Sequence, residues 1–499
     1  MSKRKLKRQK KKDLNKRSLA SRSRSAIDDA LSNLEILIQT GQVQEAEKAL
    51  DEIIALKPNR LETLNVLSNI AVRLNKLDRS IELLQKGCRI DRQDINTRYD
   101  LGIRLIQAAR FEEAVDTFEK VVSLAPGDAE IHYDLGNAYY ELHEYKKAAK
   151  AFNKAISLRP RYLGAYNNLG RVYEDQQDIP KAIENYQQVL SLDPEHESAL
   201  IKLKKIFSDA VPAWHFSMLN DQSRNDAYEK AIKKAIGDNQ TVLDIGTGSG
   251  LLSMMAARCG AKAVYTCETN PLIAEKAKQI IDKNGFGNVI TVINKNSLGL
   301  TADEDFPAKF DVVIAEIFDA GLLGEGVFTV LQHAREELLV PGGQLLPQKA
   351  KLFAALIDSE ELWQEGNIGS VNGFDLDSFN EFSPWPYLQR KLNNFQHKIV
   401  SEITEVFTFD FTSTLPLSES KQIKFAITND GICHAISFWF RLYLDDEIYI
   451  ETSPRETSHW NQSVQLIKTP YGVNKGQEVS MTANHNSHFI SFLDPETDV

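Results

Sequence analysis

The 499-residue chain has only four cysteines, and it lacks several patterns that would assign a protein to a class at once. The cysteines have neither the spacing of a disulfide framework nor that of a metal site. No apolar run is long enough to cross a bilayer, and the basic amino terminus is not followed by the apolar stretch of a secretory signal. We therefore expect a cytoplasmic protein with reduced thiols, no metal and no membrane partner.

Charge is spread unevenly over a chain that is too long for one hydrophobic core. Between Lys3 and Arg24 there are twelve basic residues and one acid, a charge of +11, which leaves −21 for the rest of a chain whose formal charge is −10. Such a block predicts a disordered tail over 1–25. The tail is either only solvated, or contacts nucleic acid, or serves as a nuclear import signal in a nucleated cell.

The first half of the chain repeats with a period of 34 residues. Four prolines share this spacing, at Pro58, Pro126, Pro160 and Pro194. The same grid holds a column of glycines and, sixteen residues later, a column of large apolar residues: Gly102, Gly136, Gly170, Phe118, Phe152 and Tyr186. A 34-residue period of this kind predicts about five tetratricopeptide repeats, an all-α solenoid over 26–197. Its concave groove usually grips peptide, and Asn137 and Arg171 either line it or are plain surface residues.

The second half opens with a glycine loop between an apolar strand and a helix. Asp244 precedes the glycines Gly246, Gly248 and Gly250, and Glu268 ends the next predicted strand. Glycines let a ligand approach the backbone, and an acid at that second position accepts hydrogen bonds from ribose hydroxyls. The spacing alone fits a nicotinamide dinucleotide as well as S-adenosylmethionine. Continued alternation of strands and helices over 198–344 predicts a doubly wound, Rossmann-like parallel sheet.

Two glutamates follow the apolar strand 310–314. Glu316 and Glu325 are nine residues apart and joined by glycine-bearing sequence. Open parallel sheets bind ligands at the carboxyl ends of their strands. Two carboxylates that face one point there would hold a planar cation with several donors, and guanidinium is that cation.

From residue 345 to 499 the apolar residues alternate or cluster, between turns of Gly, Asp and Asn. This pattern predicts an antiparallel sheet or a β-barrel-like domain. Residues 359–396 interrupt it as an insertion.

Several motifs in one order resemble the protein arginine methyltransferase family from about residue 211 onwards. They are the glycine loop at 242–253, the glutamate pair, the passage into the last domain at 339–347 and the threonine-histidine-tryptophan loop at 457–462. The segment 214–225, preceded by repeats, is similar to the family's ninth branch, which carries tetratricopeptide repeats. We expect a single catalytic module.

The resemblance implies an enzyme that transfers methyl from S-adenosyl-L-methionine to a guanidino nitrogen of arginine in proteins and releases S-adenosyl-L-homocysteine. The repeats would recruit the arginine-containing protein substrate or another protein partner. The insertion would be a dimerisation arm, which leaves a homodimer and a monomer as alternatives. Nucleic acid would bind only through the tail. Two other readings are an inactive adaptor that binds cofactor and a methyltransferase for a non-protein substrate.

The resemblance also implies the roles of the catalytic residues. Glu316 and Glu325 would hold the guanidinium, and Asp221 and His459 would form a supporting acid–histidine pair that takes the proton. Trp460 stands beside that histidine, on the substrate side.

Phe318 occupies the place where asymmetric-dimethylating members carry methionine. Its bulk would favour a monomethyl or symmetric dimethyl product.

For the methyl donor, the resemblance assigns Arg224 to the methionine carboxylate and Glu268 to the ribose. Asp244 would support the loop or the amino group. Asn296 and Ser297 lie where the family holds adenine, although Leu298 stands where an acid is frequent.

Overall fold

A computed structural model describes residues 27–237 and 239–493. The chain forms two compact units that divide between Phe207 and Ser208. The basic tail predicted over 1–25 lies outside the described residues. Within the described part, no helix is long and apolar enough to span a membrane.

The first unit consists of helix pairs that follow the 34-residue period. The helices are α1 (27–39), α2 (Val43–Ala55), α3 (Leu61–Arg73), α4 (Leu77–Ile90), α5 (Ile95–Gln107), α6 (Phe111–Leu124), α7 (Ala129–Glu141), α8 (Tyr145–Leu158), α9 (Leu163–Asp175) and α10 (Ile179–Leu192). In three repeats the glycine column lies against the aromatic column. A Cβ atom on Gly102, Gly136 or Gly170 would lie 2.6 Å from the facing aromatic ring. Glycine is therefore what lets the two helices of a repeat pack around a buried ring.

An eleventh helix, α11 (Glu197–Ala210), continues the array beyond the last predicted repeat. Its Lys202 forms an ion pair of 3.1 Å with Glu174 of α9, and Ser198 donates a hydrogen bond to Asn167. The compact unit therefore extends ten residues beyond the boundary expected at 197.

The second unit opens with a five-stranded parallel sheet in the order β3-β2-β1-β4-β5. Its strands are β1 (Thr241–Ile245), β2 (Ala263–Cys267), β3 (Ile290–Ile293), β4 (Phe310–Ala315) and β5 (Leu339–Leu346). Its helices are α12 (Trp214–Leu219), α13 (Gln222–Ala235), α14 (Leu251–Arg258), α15 (Pro271–Lys283) and α16 (Val327–His333). The strand order reverses at β1, which puts a ligand crevice at the carboxyl ends of β1 and β4.

Antiparallel strands follow directly. The larger sheet is built around the long strands β6 (Lys349–Asp358), β13 (Gly431–Tyr443) and β15 (Gln462–Val473), and a three-stranded sheet adds β12 (Ser418–Ala426), β16 (Glu478–Asn486) and β17 (Ile490–Leu493). The larger sheet also contains β9 (Leu388–Arg390), β10 (Lys398–Ile399), β11 (Thr404–Asp410) and β14 (Tyr449–Glu451). One hydrophobic core runs from the parallel sheet through the antiparallel sheets.

The predicted insertion at 359–396 contains little regular structure. It holds α17 (Glu360–Gln364), a small hairpin of β7 (Ser370–Val371) and β8 (Phe374–Asp375), and then β9. Four of its aromatic side chains are 64–78% exposed: Phe374, Phe379, Phe382 and Trp385. The fold class predicted from the sequence is confirmed: helical repeats, then a Rossmann-like parallel sheet, then a barrel-like antiparallel domain.

We expect Gly136→Ala to lower the free energy of unfolding by about 1–3 kcal/mol, because the new methyl group would overpack the Phe152 ring. The matched control is Gly127→Ala, since no described atom lies within 4 Å of a Cβ there; it should change stability by less than about 0.5 kcal/mol. Urea unfolding followed by the helical circular dichroism signal measures both. Equal stability of the two variants would contradict this account of the repeat packing.

Candidate active site

Four predicted site residues follow the carboxyl ends of neighbouring strands. Gly246 follows β1, Glu268 follows β2, Asn296 lies beyond β3, and Glu316 follows β4. Because the strands are parallel and adjacent, these residues share one edge of the sheet. This edge is where the fold creates a crevice.

The glycine loop adopts a backbone that other residues rarely adopt. Gly246, Gly248 and Gly250 have φ angles of +87°, +50° and +80°. Among the described residues, no atom lies within 4 Å of a Cβ built on Gly248, so this backbone borders open space. The Gly248 amide donates to the Glu268 carboxylate at 3.2 Å, which ties the loop to the acid after β2.

Asp244 is fully enclosed beneath this loop. One of its carboxylate oxygens, Oδ2, accepts hydrogen bonds from the hydroxyls of Ser253 at 2.5 Å and Thr266 at 3.3 Å. Its other oxygen, Oδ1, is buried without a hydrogen-bond partner among the described residues. Burial raises the pKa of Asp244 to about 7. Asp244 therefore links β1 to α14 and β2, which agrees with a supporting role.

Asn296 and Ser297 begin a short 3₁₀ turn beyond β3. The Asn296 side chain accepts a hydrogen bond from the Leu298 amide at 2.9 Å, and Ser297 is buried. These contacts are local, so the assignment of both residues to adenine stays a prediction.

Arg224 lies in the first turn of α13 and is 3% exposed. Its guanidinium donates to Glu316 at 2.6 Å and to Asn225 at 2.8 Å, while its Nε is buried without a partner among the described residues. The guanidinium also lies 5.3 Å from the centre of the Tyr228 ring. Arg224, which was predicted to bind the cofactor, is thus paired with Glu316, which was predicted to bind the substrate. The sequence did not predict this pair.

Asp221 and His459 meet although they are 238 residues apart. One Asp221 oxygen accepts from the His459 amide at 2.9 Å and contacts ring Nδ1 at 3.0 Å. The other caps α13 by accepting from the Arg224 amide at 3.0 Å. Burial raises the pKa of Asp221, but these hydrogen bonds outweigh it and leave the pKa below its usual range. Burial lowers the pKa of His459 despite the opposing effect of Asp221, so a neutral ring with its proton on Nδ1 leaves Nε2 able to accept a proton.

Glu325 is the last residue of the segment 316–325, which we term the glutamate loop, and it is exposed to solvent. The surrounding protein still desolvates it and raises its pKa to about 7, and the charges of Glu316, Asp319 and Glu268 act in the same direction. Four carboxylates therefore crowd this end of the sheet. Such a cluster favours a cation.

Trp460 and Phe318 make core contacts. Trp460 is 4% exposed, and its indole N–H donates to the Phe318 carbonyl oxygen at 2.7 Å. The Phe318 ring lies 6.0 Å from the ring of Phe411, between centroids, within the hydrophobic core. Ile317 instead faces Gly246. The substrate roles of Trp460 and Phe318, and the limit that Phe318 would set on the product, stay predictions.

Three further residues hold the site's loops and were missed from the sequence: Asp319, Tyr387 and Lys391. Asp319 could have been noticed because it lies between the two glutamates, three residues after the first. Tyr387 and Lys391 belong to the irregular insertion, where no sequence pattern pointed to the site.

Comparison with known proteins assigns the family. An arginine N(omega)-methyltransferase of Streptomyces achromogenes subsp. streptozoticus is 38% identical over 272 residues, which cover 54% of this chain and 75% of that protein. The chain belongs to the protein arginine N-methyltransferase family. Mouse protein arginine N-methyltransferase 9 is 30% identical over 316 residues, or 56% of this chain, but the match spans only 37% of the mouse protein.

Four family models match consecutive segments of the chain, and these segments agree with the parts of the fold. Tetratricopeptide repeat families match residues 99–162 and 164–196. A family described as ribosomal protein L11 methyltransferase matches 227–346, and the arginine methyltransferase oligomerization subdomain matches 348–496. The solved Trypanosoma brucei PRMT1 enzyme-prozyme complex with AdoHcy covers 57% of this chain and 99% of its own, with a TM-score of 0.49 and 25% identity.

The residues of this arginine methyltransferase fit S-adenosylmethionine. The open glycine backbone at Gly248 can receive the methionine part, and the Glu268 carboxylate stands beside it. The buried, unpartnered Nε of Arg224 suits an anionic group.

We expect guanidinium binding at this site to tighten about tenfold between pH 6 and pH 8, because a cation favours ionised Glu325 and the pKa of Glu325 is raised to about 7. The pKa of His459 is lowered by burial, which reduces the share of that ring in any change over this range. Calorimetric titration with an arginine-containing peptide at several pH values measures the effect.

The control variant Glu325→Gln should bind more weakly and lose this pH dependence. A dependence of the same size in the variant would assign the titration to another group, such as Asp244.

Proposed function

We propose that this protein transfers a methyl group from S-adenosylmethionine to a guanidino nitrogen of arginine in protein substrates. The observation that carries the proposal is the carboxylate cluster of the glutamate loop. Glu316 lies beside Gly246 and near the histidine held by Asp221, and Glu325 lies near Glu316 and Glu268. Family membership supports the same chemistry.

When bound, S-adenosylmethionine supplies a methyl group on a positively charged sulfur. Gly248, Glu268 and Arg224 would hold this donor; its methyl group would pass to the arginine nitrogen, its sulfur would keep the electron pair, and the nitrogen would lose one proton. The protein must therefore hold a guanidinium, align one nitrogen and receive a proton.

The two glutamates would hold and align the substrate. Guanidinium stays protonated at physiological pH because its pKa lies far above that range, so its nitrogens are poor nucleophiles in water. Charge-assisted hydrogen bonds from two nitrogens to Glu316 and Glu325 would draw positive charge away from the third. Correct placement of reactants can supply about 7–11 kcal/mol of the barrier, so alignment is the larger effect.

His459 would receive the proton. Its Nδ1 proton is held by Asp221, and the pKa of the ring is lowered by burial, so Nε2 is a neutral acceptor near neutral pH. The Asp221 carboxylate would stabilise the imidazolium that forms. Arg224 would orient Glu316 through their 2.6 Å contact.

The helical repeats would recruit the protein that carries the arginine. A cavity of about 380 Å³ opens on them, lined by Ile106, Phe111, Asn137, Tyr140, Glu141, Asn168 and Arg171. Arg171 stacks on Tyr140 at 4.5 Å, and Asn168 donates to Asn137, so amide and guanidinium groups line the cavity. Such groups can hydrogen-bond a peptide backbone.

The Streptomyces relative is named only as an arginine N(omega)-methyltransferase, which favours a second candidate reaction, methylation of arginine that is not part of a protein. The same site would serve, and the repeats would then only assemble the enzyme with other proteins.

Self-association is proposed through the insertion. The exposed aromatic side chains at 374–385 form an apolar surface that water solvates poorly. The subdomain that carries it matches a family described by oligomerization.

We expect Glu325→Gln to lower kcat for methyl transfer at least about 100-fold, because the neutral amide no longer pairs with the guanidinium. Binding of S-adenosylhomocysteine should stay within about twofold, since the residues proposed for the cofactor are Gly248, Glu268 and Arg224 and do not include Glu325. Transfer of labelled methyl groups and calorimetry measure the two. Glu337→Gln, at an exposed glutamate, is the matched control. Full activity of Glu325→Gln, or a wild type that binds cofactor without turnover, would overturn the proposal, and the second result would indicate an adaptor.

We expect the double substitution Asn137→Ala, Arg171→Ala to raise KM for protein substrates several-fold and to leave KM for a short arginine peptide unchanged. Both side chains line the cavity of the repeats and neither belongs to the catalytic unit. Arg79→Ala, on the second helix of another repeat, is the control. An unchanged KM for proteins, together with turnover of free arginine, would favour the second candidate reaction.

A further inference from the structure

We infer that residues 387–391, which we term the strap, position both loops of the active site, with Tyr387 and Lys391 as the positioning residues. The strap includes β9 and lies within the last ten residues of the insertion at 359–396. The inference rests on the proposed function and deepens it, because it names residues that would set the geometry of that same site.

The strap holds the glutamate loop through Asp319. The Asp319 carboxylate accepts from the Gly324 amide at 3.0 Å, within the loop, and from the Tyr387 hydroxyl at 3.2 Å. Gln389 adds a longer contact of 3.5 Å to the same oxygen as Tyr387. One carboxylate between the two glutamates is thus the point at which the loop is closed on itself and attached to the strap.

The fit at this point leaves no spare room. A Cβ on Gly321 would lie 1.9 Å from the Tyr387 hydroxyl oxygen, and one on Gly324 would lie 2.5 Å from Asp319. Leu322 between them has a φ of +75°, a left-handed conformation that is costly for leucine. The loop is therefore held in one tight turn, and Tyr387 closes it from outside.

The other end of the strap contacts the segment 457–462, which contains His459 and which we term the histidine loop. The Lys391 ammonium donates to the carbonyl oxygens of Ser458 and Trp460, at 2.7 Å for the latter. These two residues flank His459, so one side chain fixes the backbone on both sides of the histidine. Burial lowers the pKa of Lys391, and the Asp221 charge acts against this.

The strap itself is anchored in the sheet. β9 pairs with β15 from Gln462 to Val464, and the Tyr387 ring packs edge-on against Phe438 of β13 at 5.2 Å. The two loops also contact each other, because Trp460 donates to the Phe318 carbonyl oxygen. Strap, glutamate loop and histidine loop therefore form a closed ring of contacts around the site.

The test compares Tyr387→Phe, Asp319→Asn and their double variant in the full chain. Each single change removes the charge-assisted hydrogen bond from the Tyr387 hydroxyl to the Asp319 carboxylate, while asparagine can still accept from the Gly324 amide. We expect each to lower kcat about tenfold, with S-adenosylhomocysteine affinity within about twofold. The double variant should be no slower than the slower single variant, because both changes remove one contact.

Tyr449→Phe is the matched control, since this tyrosine is half-exposed on the antiparallel domain, and it should keep wild-type kcat. Lys391→Met should lower kcat about tenfold as well, and Lys391→Arg should restore part of it, because arginine can still donate to both carbonyls. Wild-type kcat in Tyr387→Phe, or effects of Tyr387→Phe and Asp319→Asn that multiply in the double variant, would overturn the inference.

A wild-type protein that does not methylate arginine would contradict the proposed function, but the role of the strap could still be tested. The variants are then compared by their affinity for a short peptide with one arginine between glycines, with S-adenosylhomocysteine present. We expect about tenfold weaker binding for Tyr387→Phe, because the glutamate loop loses its attachment to the strap. Binding by Tyr449→Phe should be unchanged. Equal binding in both would overturn it.

Discussion

The buried ion pair between Arg224 and Glu316 is the contact on which the catalytic unit depends. Glu316 is one of four carboxylates at the end of the parallel sheet, and Arg224 is its charged partner at 2.6 Å. Removing one member of a buried pair leaves the other charge uncompensated, which commonly costs 3–5 kcal/mol. Because Arg224 belongs to the helix turn that Asp221 caps, the same turn also fixes His459. One turn of helix therefore connects the glutamate loop and the histidine.

Much of the fold could be predicted because its signals are periodic or local. In the repeats, the proline, glycine and aromatic positions all recur every 34 residues. The glycine loop is recognisable because it lies between an apolar strand and a helix. Helix α11 was missed since it follows the last 34-residue period without a repeat of its own. Its place becomes visible only through Lys202 and Glu174, a contact between residues 28 positions apart.

The sequence named candidate site residues but few of their contacts. Asp221 and His459 do meet, yet the partner of Arg224 was not foreseen, because the resemblance implied a contact with cofactor and not one with Glu316. Phe318 illustrates a second limit: in an irregular loop, neighbouring side chains point in directions that sequence spacing does not determine. Its ring contacts Phe411 in the core, while Ile317 faces the glycine loop. Tyr387 and Lys391 were unpredictable since they lie 67 or more residues from their partners in the loops they hold.

The close approach of Tyr387 to Gly321 has a consequence for how such sequences can diverge. No side chain fits at Gly321 while a tyrosine hydroxyl stands 1.9 Å from the place of its first carbon. A lineage that gains a side chain at the first position must first lose or shorten the ring at the second. The two positions should therefore covary among relatives, with glycine inherited together with tyrosine and a larger residue only where the ring is gone.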